Sequence, residues 1–94
     1  MTLFYCPKRD RAAVELSGEA VGSFLNDLLT SEVNTLPVGA MQMSCLLSPQ
    51  GRILHDMLIF RIEADRFWIE VSKNQILNLK KSFEMYRLRK IINL

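Results

Sequence analysis

Apolar and polar residues alternate with a period of two in the segment 11–16. Its apolar positions are Ala12, Val14 and Leu16. Because successive side chains of a β-strand point to opposite faces, this pattern predicts a strand with one buried face. Residues 41–47 repeat the alternation, and there Met41 and Met43 are interpreted as flexible residues that fill the core. Apolar runs at 52–62 and 67–71 predict two further strands, which complete an antiparallel meander.

Two segments show the three-and-four spacing of amphipathic helices. The first is expected to begin at Ser17 as the N-cap, with Glu19 in its first turn, and to end near Thr30. Its apolar stripe consists of Val21, Phe24, Leu25, Leu28 and Leu29. The second begins with Ser72 and Gln75, which have the spacing of a capping box. Its stripe consists of Ile76, Leu79, Phe83 and Tyr86.

Polar and glycine-containing segments mark the turns between the strands. Ser48-Pro49-Gln50-Gly51 has the residue preferences of a type I turn, and the residues 63–66 form another. The final residues, 90–94, have the pattern of a strand that stops on apolar residues. Natural termini are more often polar and frayed, so the chain is expected to be a fragment, or a half whose partner is missing.

The order of the predicted elements is β-α-β-β-β-α-β, which indicates the α+β class: a mainly antiparallel sheet with two packed helices. The 94 residues, 49% apolar and 23% charged, have the balance of a single globular domain spanning residues 1–94. A domain of this size buries only about two-thirds of its unfolded surface, so additional cover for its apolar faces would stabilise it.

The net charge of +2 is too small to indicate a nucleic-acid site. Six of the twelve basic residues lie in 73–94. A basic helix can attract phosphates or polyanionic cofactors, but the favoured interpretation is that these residues complement the C-terminal end of the helix dipole. Cys6 and Cys45 are far apart and have no neighbouring histidine cluster, which predicts reduced thiols and neither a zinc site nor a disulfide. No apolar run approaches the roughly 20 residues of a membrane span, so a cytoplasmic protein without a membrane partner is expected.

Asp56 is the candidate functional residue of the strand 52–62, because it shares a face with Leu54 and Leu58. A buried carboxylate needs compensation, so Asp56 is expected to be at an edge, to pair with Arg52 or Arg61, or to face a ligand. His55 points to the opposite face and is interpreted as a bystander.

Trp68 lies opposite the buried face of its strand. Its ring either covers a helix or neighbouring domain, or stacks on a planar ligand.

The segments Arg11-x-x-Val14-x-Leu16-x-Gly18, Leu46-Leu47-Ser48-Pro49-Gln50-Gly51-Arg52-Ile53 and Tyr86-Arg87-Leu88-Arg89-Lys90 occur in an order that resembles YgfZ-type proteins and the related glycine cleavage T protein. The resemblance implies the first domain of a multidomain fold that binds tetrahydrofolate or a derivative in a central pocket. It implies that Asp56, together with the turn Gln50-Gly51-Arg52, contacts the folate. No catalytic residue is assigned.

The resemblance also separates two branches of the family. T proteins have a glycine pair followed by a pair of acids, whereas this chain has Gly51-Arg52 and a single acid, Asp56. This departure favours the YgfZ branch, which is associated with assembly or repair of iron–sulfur enzymes and thereby with tRNA modification. The K-G-C-Y-x-G-Q-E motif of that branch lies beyond the first domain and does not occur in this sequence.

Three functions remain open at this point. The first is a folate-dependent accessory protein of iron–sulfur metabolism, with iron–sulfur enzymes as partners. The second is an aminomethyltransferase of the glycine cleavage system, acting in one-carbon transfer. The third is a non-catalytic docking or dimerisation module, whose partner is the remainder of the same protein or a second chain.

Overall fold

A computed structural model describes residues 2–5 and 10–90, with side chains over 3–5 and 10–86. It contains five strands and two helices. The strands are β1 (Thr2–Tyr5), β2 (Arg11–Ser17), β3 (Met41–Leu47), β4 (Ile53–Glu63) and β5 (Arg66–Ser72). The helices are α1 (Val21–Leu28) and α2 (Ile76–Lys90), and a 3-10 turn, Lys73–Gln75, leads into α2.

The five strands form one antiparallel sheet in the order β1-β2-β5-β4-β3. Its central row of cross-strand neighbours is Val14, Ile69 and Ile59, and all three are fully buried. The predicted α+β class, with a mainly antiparallel sheet and two packed helices, is therefore confirmed.

Both helices pack on the same side of the sheet, called here the core face. The rings of Phe24 in α1 and Phe83 in α2 meet edge to face with 6.0 Å between their centroids. The predicted stripe of α2 is confirmed, since Ile76, Leu79 and Phe83 are buried and Tyr86 packs against them. Burying such side chains is the main source of the domain's stability.

The start of α1 differs from the prediction. Ser17 is not its N-cap, because this residue extends the β2–β5 ladder opposite Arg66. The chain then leaves the strand through Gly18, whose φ of 132° favours glycine, and α1 begins only at Val21. Sheet pairing thus outcompetes capping at this position.

The capping box predicted at Ser72 and Gln75 is also not formed. Ser72 pairs with Arg11 in the sheet, and its side chain makes no cap hydrogen bond. The side-chain oxygen of Gln75 instead faces Nδ1 of His55 at 3.0 Å. A tertiary contact therefore replaces the local one.

The interpretation of Met41 and Met43 as core residues is wrong. They are 60% and 66% exposed, whereas Ser44 and Leu46 point into the core. The buried Ser44 hydroxyl accepts a hydrogen bond from the amide of Ser31 at 3.2 Å. This bond offsets the cost of burying a polar group, so the strand turns its less apolar face inward.

The structure differs from the predicted elements at both ends of the chain. The sheet gains the edge strand β1, which the sequence pattern did not predict. At the other end, Lys90 is the last residue of α2, and the remainder of the predicted strand, 91–94, lies outside the described residues.

Replacing Met57 by Ala should destabilise the fold far more than replacing Met43 by Ala. Met57 is 1% exposed, so its truncation leaves a cavity and should lower the free energy of unfolding by about 2–5 kcal/mol. Met43→Ala should change it by about 0.5 kcal/mol or less. Urea unfolding followed by circular dichroism measures both free energies. Equal losses in the two variants would contradict the finding that Met57 is buried and Met43 is exposed.

Candidate functional site

The candidate site lies on the face of the sheet opposite the helices, called here the open face. Asp56 and its neighbours project there because they alternate with the buried positions of β4. The open face includes the side chains of Phe4, Arg11, Ala13, Glu15, Met41, Met43, Cys45, Leu54, Asp56, Leu58, Phe60, Arg66, Trp68 and Glu70.

The strand register orders this surface into rows. One row runs from Met43 through Leu58, Glu70 and Ala13 to Phe4. The next joins Met41, Phe60, Trp68 and Glu15. The open face is thus apolar on β3 and, apart from Asp56, on β4, whereas β2 and β5 carry the charged residues Arg11, Glu15 and Glu70.

Asp56 is exposed and lies opposite Cys45 of the edge strand β3. Neither an ion pair nor a side-chain hydrogen bond connects Asp56 to another described side chain. The expected pair with Arg61 is not formed, because that guanidinium donates to the carbonyl of Leu36 at 2.7 Å and to that of Ala64 at 2.8 Å. Asp56 therefore presents an exposed carboxylate on the open face.

The expectation that Asp56 lies on the buried side of β4 is corrected. His55, Met57 and Ile59 form the core face of this strand, whereas Leu54 is 46% exposed. Alternation along β4 is weak because both faces are apolar, so the pattern did not reveal which side the helices cover.

The turn Gln50-Gly51-Arg52 forms the exposed tip of the β3–β4 hairpin. The amide of Gly51 donates to the carbonyl of Ser48 at 2.9 Å, as expected for the predicted turn, and Gly51 has a φ of 85°. Arg52 and Asp56 are four residues apart, about 13 Å along an extended strand. The hairpin therefore presents the turn and Asp56 at two separate points.

His55 is oriented away from Asp56, as the sequence pattern predicted. Its ring is 8% exposed and Nδ1 lies 3.0 Å from the side-chain oxygen of Gln75, an acceptor that favours a proton on Nδ1. His55 therefore joins β4 to the start of α2 and has a structural role.

Trp68 is the centre of a polar cluster that the sequence did not indicate as a site. Its indole Nε1 donates to Oε1 of Glu15 at 2.8 Å, and Arg66 Nε lies 2.7 Å from the same oxygen. The Trp68 hydrogen bond, together with Arg66, lowers the pKa of Glu15 against the opposing effect of desolvation. Arg66 and Trp68 are 51 and 53 residues from Glu15 in the sequence, so no local sequence pattern predicts this cluster.

A depression of about 310 Å³ adjoins this cluster near β1. Phe4, Tyr5, Ala13 and Trp68 are among its lining residues. Phe4 and Trp68 are in ring contact, with 5.3 Å between their centroids. The ion pair of Arg11 with Glu70, 2.9 Å long, borders the same space.

The GCVT N-terminal domain is the family whose model matches the chain, over residues 10–87. The chain therefore belongs to this family of glycine cleavage T protein domains.

Curated relatives are similar to this chain in sequence, and a solved structure shares its fold. An aminomethyltransferase from Xanthomonas oryzae pv. oryzae (strain PXO99A) is 37% identical over 60 residues, which are 63% of this chain and 16% of that protein. A mitochondrial "iron-sulfur cluster assembly factor IBA57 homolog" from Neurospora crassa is 28% identical over 90 residues, 89% of this chain and 20% of that protein. The crystal structure of the glycine cleavage system aminomethyltransferase T from Bartonella henselae matches 83% of this chain and 22% of its own, at 20% identity and a TM-score of 0.79.

The chain thus spans about a sixth to a fifth of the length of these relatives. Over the described residues, no group of three histidine, cysteine or acidic side chains is arranged to hold a metal ion. The helices in that part of the chain are also too short or too polar to cross a membrane.

Replacing Glu15 by Gln should reduce stability at neutral pH and have little effect in strong acid. The pKa of Glu15 in the folded protein is below its ordinary value of 4.5. Ionised Glu15 therefore stabilises the fold above that value, and the contribution is lost as the pH falls through the lower, folded-state pKa.

Urea unfolding across this pH range measures the effect. Glu32→Gln, which removes an exposed carboxylate from the loop before β3, is the matched control. A difference between wild type and Glu15→Gln that stays constant into strong acid would contradict the lowered pKa.

Proposed function

We propose that this chain forms one wall of the folate pocket of a cytoplasmic YgfZ-type protein that assists the assembly or repair of iron–sulfur enzymes, and thereby tRNA modification. The observation that supports this function best is the orientation of the pair His55 and Asp56. Asp56 places on the open face a carboxylate that has no partner among the described side chains, while His55 points into the core.

The chemistry of tetrahydrofolate suits this surface. Its pterin ring is flat and has several N–H groups. A carboxylate such as that of Asp56 accepts strong hydrogen bonds from N–H groups of this kind. Leu58 and Phe60, the next open-face residues of β4, provide apolar area for the ring. A pocket encloses most of its ligand, so the other walls come from further polypeptide, either the remainder of the same protein or a second chain.

The turn Gln50-Gly51-Arg52 is proposed to contact the opposite end of the folate. Folate is elongated and ends in carboxylates, which the Arg52 guanidinium can bind in a bidentate manner. The separation of Arg52 from Asp56 along the hairpin fits a ligand with donors at one end and acids at the other.

Aminomethyl transfer to tetrahydrofolate is the second candidate. The 37% identity to an aminomethyltransferase supports it, and this identity exceeds that to the assembly factor homolog. Against it stands the replacement of the usual acid pair by His55 and Asp56. His55 is not an acid and packs on the core face, so Asp56 is the single carboxylate of this pair.

The gene that encodes this chain should contain a K-G-C-Y-x-G-Q-E motif downstream of codon 94. This motif distinguishes the YgfZ branch, and its position beyond the first domain explains its absence from these residues. Sequencing of the complete gene measures the outcome. A complete T-protein catalytic region without the motif would contradict the proposal and support aminomethyl transfer.

In the complete encoded protein, Asp56→Asn should weaken the affinity for tetrahydrofolate about 10- to 100-fold. A hydrogen bond to a charged acceptor contributes about 1.5–3 kcal/mol, and each 1.4 kcal/mol corresponds to tenfold in affinity. Isothermal titration calorimetry under anaerobic conditions provides the dissociation constants.

Asp65→Asn is the matched control for this measurement. Asp65 is an exposed acid in the turn at the other end of β4, and the hydrogen bond it accepts from Gly18 uses the main-chain carbonyl, which the change retains. Asp65→Asn should therefore bind folate as the wild type does. Unchanged affinity in Asp56→Asn would remove Asp56 from the site.

A further inference from the structure

The two edges of the five-stranded sheet differ in how they are covered. At the β3 edge, the segment 29–31 runs alongside the strand and bonds to its outward main-chain groups. The amide of Thr30 donates to the carbonyl of Cys45 at 3.0 Å, and the amide of Cys45 donates to the Thr30 hydroxyl at 3.0 Å. The Ser31 hydroxyl donates to the carbonyl of Met43 at 3.1 Å. The chain therefore covers this edge itself.

The β1 edge has no such cover within the part of the chain that the structure describes. β1 pairs with β2 on one side, and no main-chain hydrogen bond joins its other side to a described segment. Its sequence, Thr2-Leu3-Phe4-Tyr5, contains no charged residue, proline or glycine. Charged residues, proline and bulges are the features by which edge strands usually avoid pairing with a further strand. β1 therefore has an edge that can accept another strand.

The side chains of β1 determine which residues an added strand can carry. Phe4 and Tyr5 are 42% and 49% exposed. The Phe4 ring lies on the open face beside Trp68, whereas Leu3 packs against the core on the other side of the strand. An added strand would thus meet apolar side chains on both faces of the sheet, and cross-strand pairs with apolar partners stabilise such contacts. A charged residue in the added strand would find no partner on β1.

The charged side chains next to β1 are already paired within one chain. Glu15 accepts hydrogen bonds from Arg66 at 2.7 Å and from Trp68 at 2.8 Å. Glu70 accepts a hydrogen bond from Arg11 at 2.9 Å. An approaching strand therefore does not have to neutralise either carboxylate, so the penalty for placing unpaired charges at an interface is avoided.

β1 meets these requirements as its own partner. Two antiparallel copies of a strand, related by a two-fold axis, exchange main-chain hydrogen bonds, and directly opposite residues point to the same face. With Phe4 on the axis, Leu3 of one copy lies opposite Tyr5 of the other, so every pair in this register is apolar or aromatic. We propose that two copies of this chain associate through β1 in this register, which joins their sheets into one and brings the two Phe4 rings together between the two Trp68 side chains.

The proposed dimer is expected to be weak. Each copy contributes a strand of four residues with two exposed aromatic rings, which is small beside the roughly 1,200–2,000 Å² that stable interfaces bury. Interfaces below that range belong to transient complexes, so the dissociation constant should lie between micromolar and millimolar values. This inference does not depend on folate binding.

Analytical ultracentrifugation of the complete encoded protein, over a series of concentrations, tests the interface. Phe4→Asp and Phe4→Lys should each weaken self-association at least about tenfold, because the two-fold axis places two like charges opposite each other. An equimolar mixture of the two variants should associate again, since an acid then faces a base. Met43→Asp changes an exposed residue on the covered β3 edge and is the matched control, which should associate as the wild type does.

Three results would overturn the proposal. They are a wild-type protein that stays monomeric at millimolar concentration, self-association that is unchanged in Phe4→Asp, and a mixture that associates no more strongly than either variant alone. Circular dichroism confirms that the variants fold. Asp56→Asn should weaken folate binding and leave self-association unchanged, so failure of the dimer and failure of the proposed ligand site are distinguishable.

A disulfide provides a second test that needs no charged variant. In a background with Cys6 and Cys45 replaced by Ser, Phe4→Cys should form a disulfide between two copies when the protein is oxidised in air. Directly opposite residues of an antiparallel pair have Cα atoms about 4.5–5.5 Å apart, which is within the range of disulfide geometry. Met43→Cys in the same background should remain reduced. Equal yields of the linked dimer from the two variants, or no linked dimer from Phe4→Cys, would refute the pairing through β1.

Discussion

The packing of both helices against one side of the sheet is the constraint on which the remaining structure depends. The buried row of Val14, Ile69 and Ile59 forms the base of this contact, and Phe24 and Phe83 close it from above. Once this face is covered, every strand residue is assigned to the core face or to the open face. The open face keeps exposed apolar side chains, among them Met41, Met43 and Leu54.

The neighbouring residues His55 and Asp56 show how this constraint determines which polar side chains are exposed. A difference of one position along β4 places one titratable group in the core and the other on the open face. His55 finds Gln75 as a partner, and Asp56 finds none among the described side chains. The resemblance to T proteins implies a pair of acids here, whereas this chain has the single carboxylate of Asp56, and we propose the YgfZ branch on that difference.

The Glu15, Trp68 and Arg66 cluster shows a second consequence of the antiparallel register. Glu15 and Trp68 are direct cross-strand neighbours, so a partly buried hydrogen bond and an ion pair form on the open face. The open face thus carries a cluster of paired charges on β2 and β5 and, on β4, an acid that has no partner among the described side chains.

The sequence by itself determined the α+β class, the positions of β2 to β5 and the inward stripe of α2, because hydrophobic periodicity and turn chemistry are local properties. The alternation of a strand also predicted that His55 and Asp56 point to opposite faces. Only the tertiary structure decided which face of β3 and β4 is buried, since a period of two defines two faces without distinguishing them when both are apolar. Because the helices cover the other side of the sheet, Met41, Met43 and Asp56 lie on the open face. The edge strand β1 and the Trp68 cluster likewise depend on pairings between distant residues, which no local pattern records.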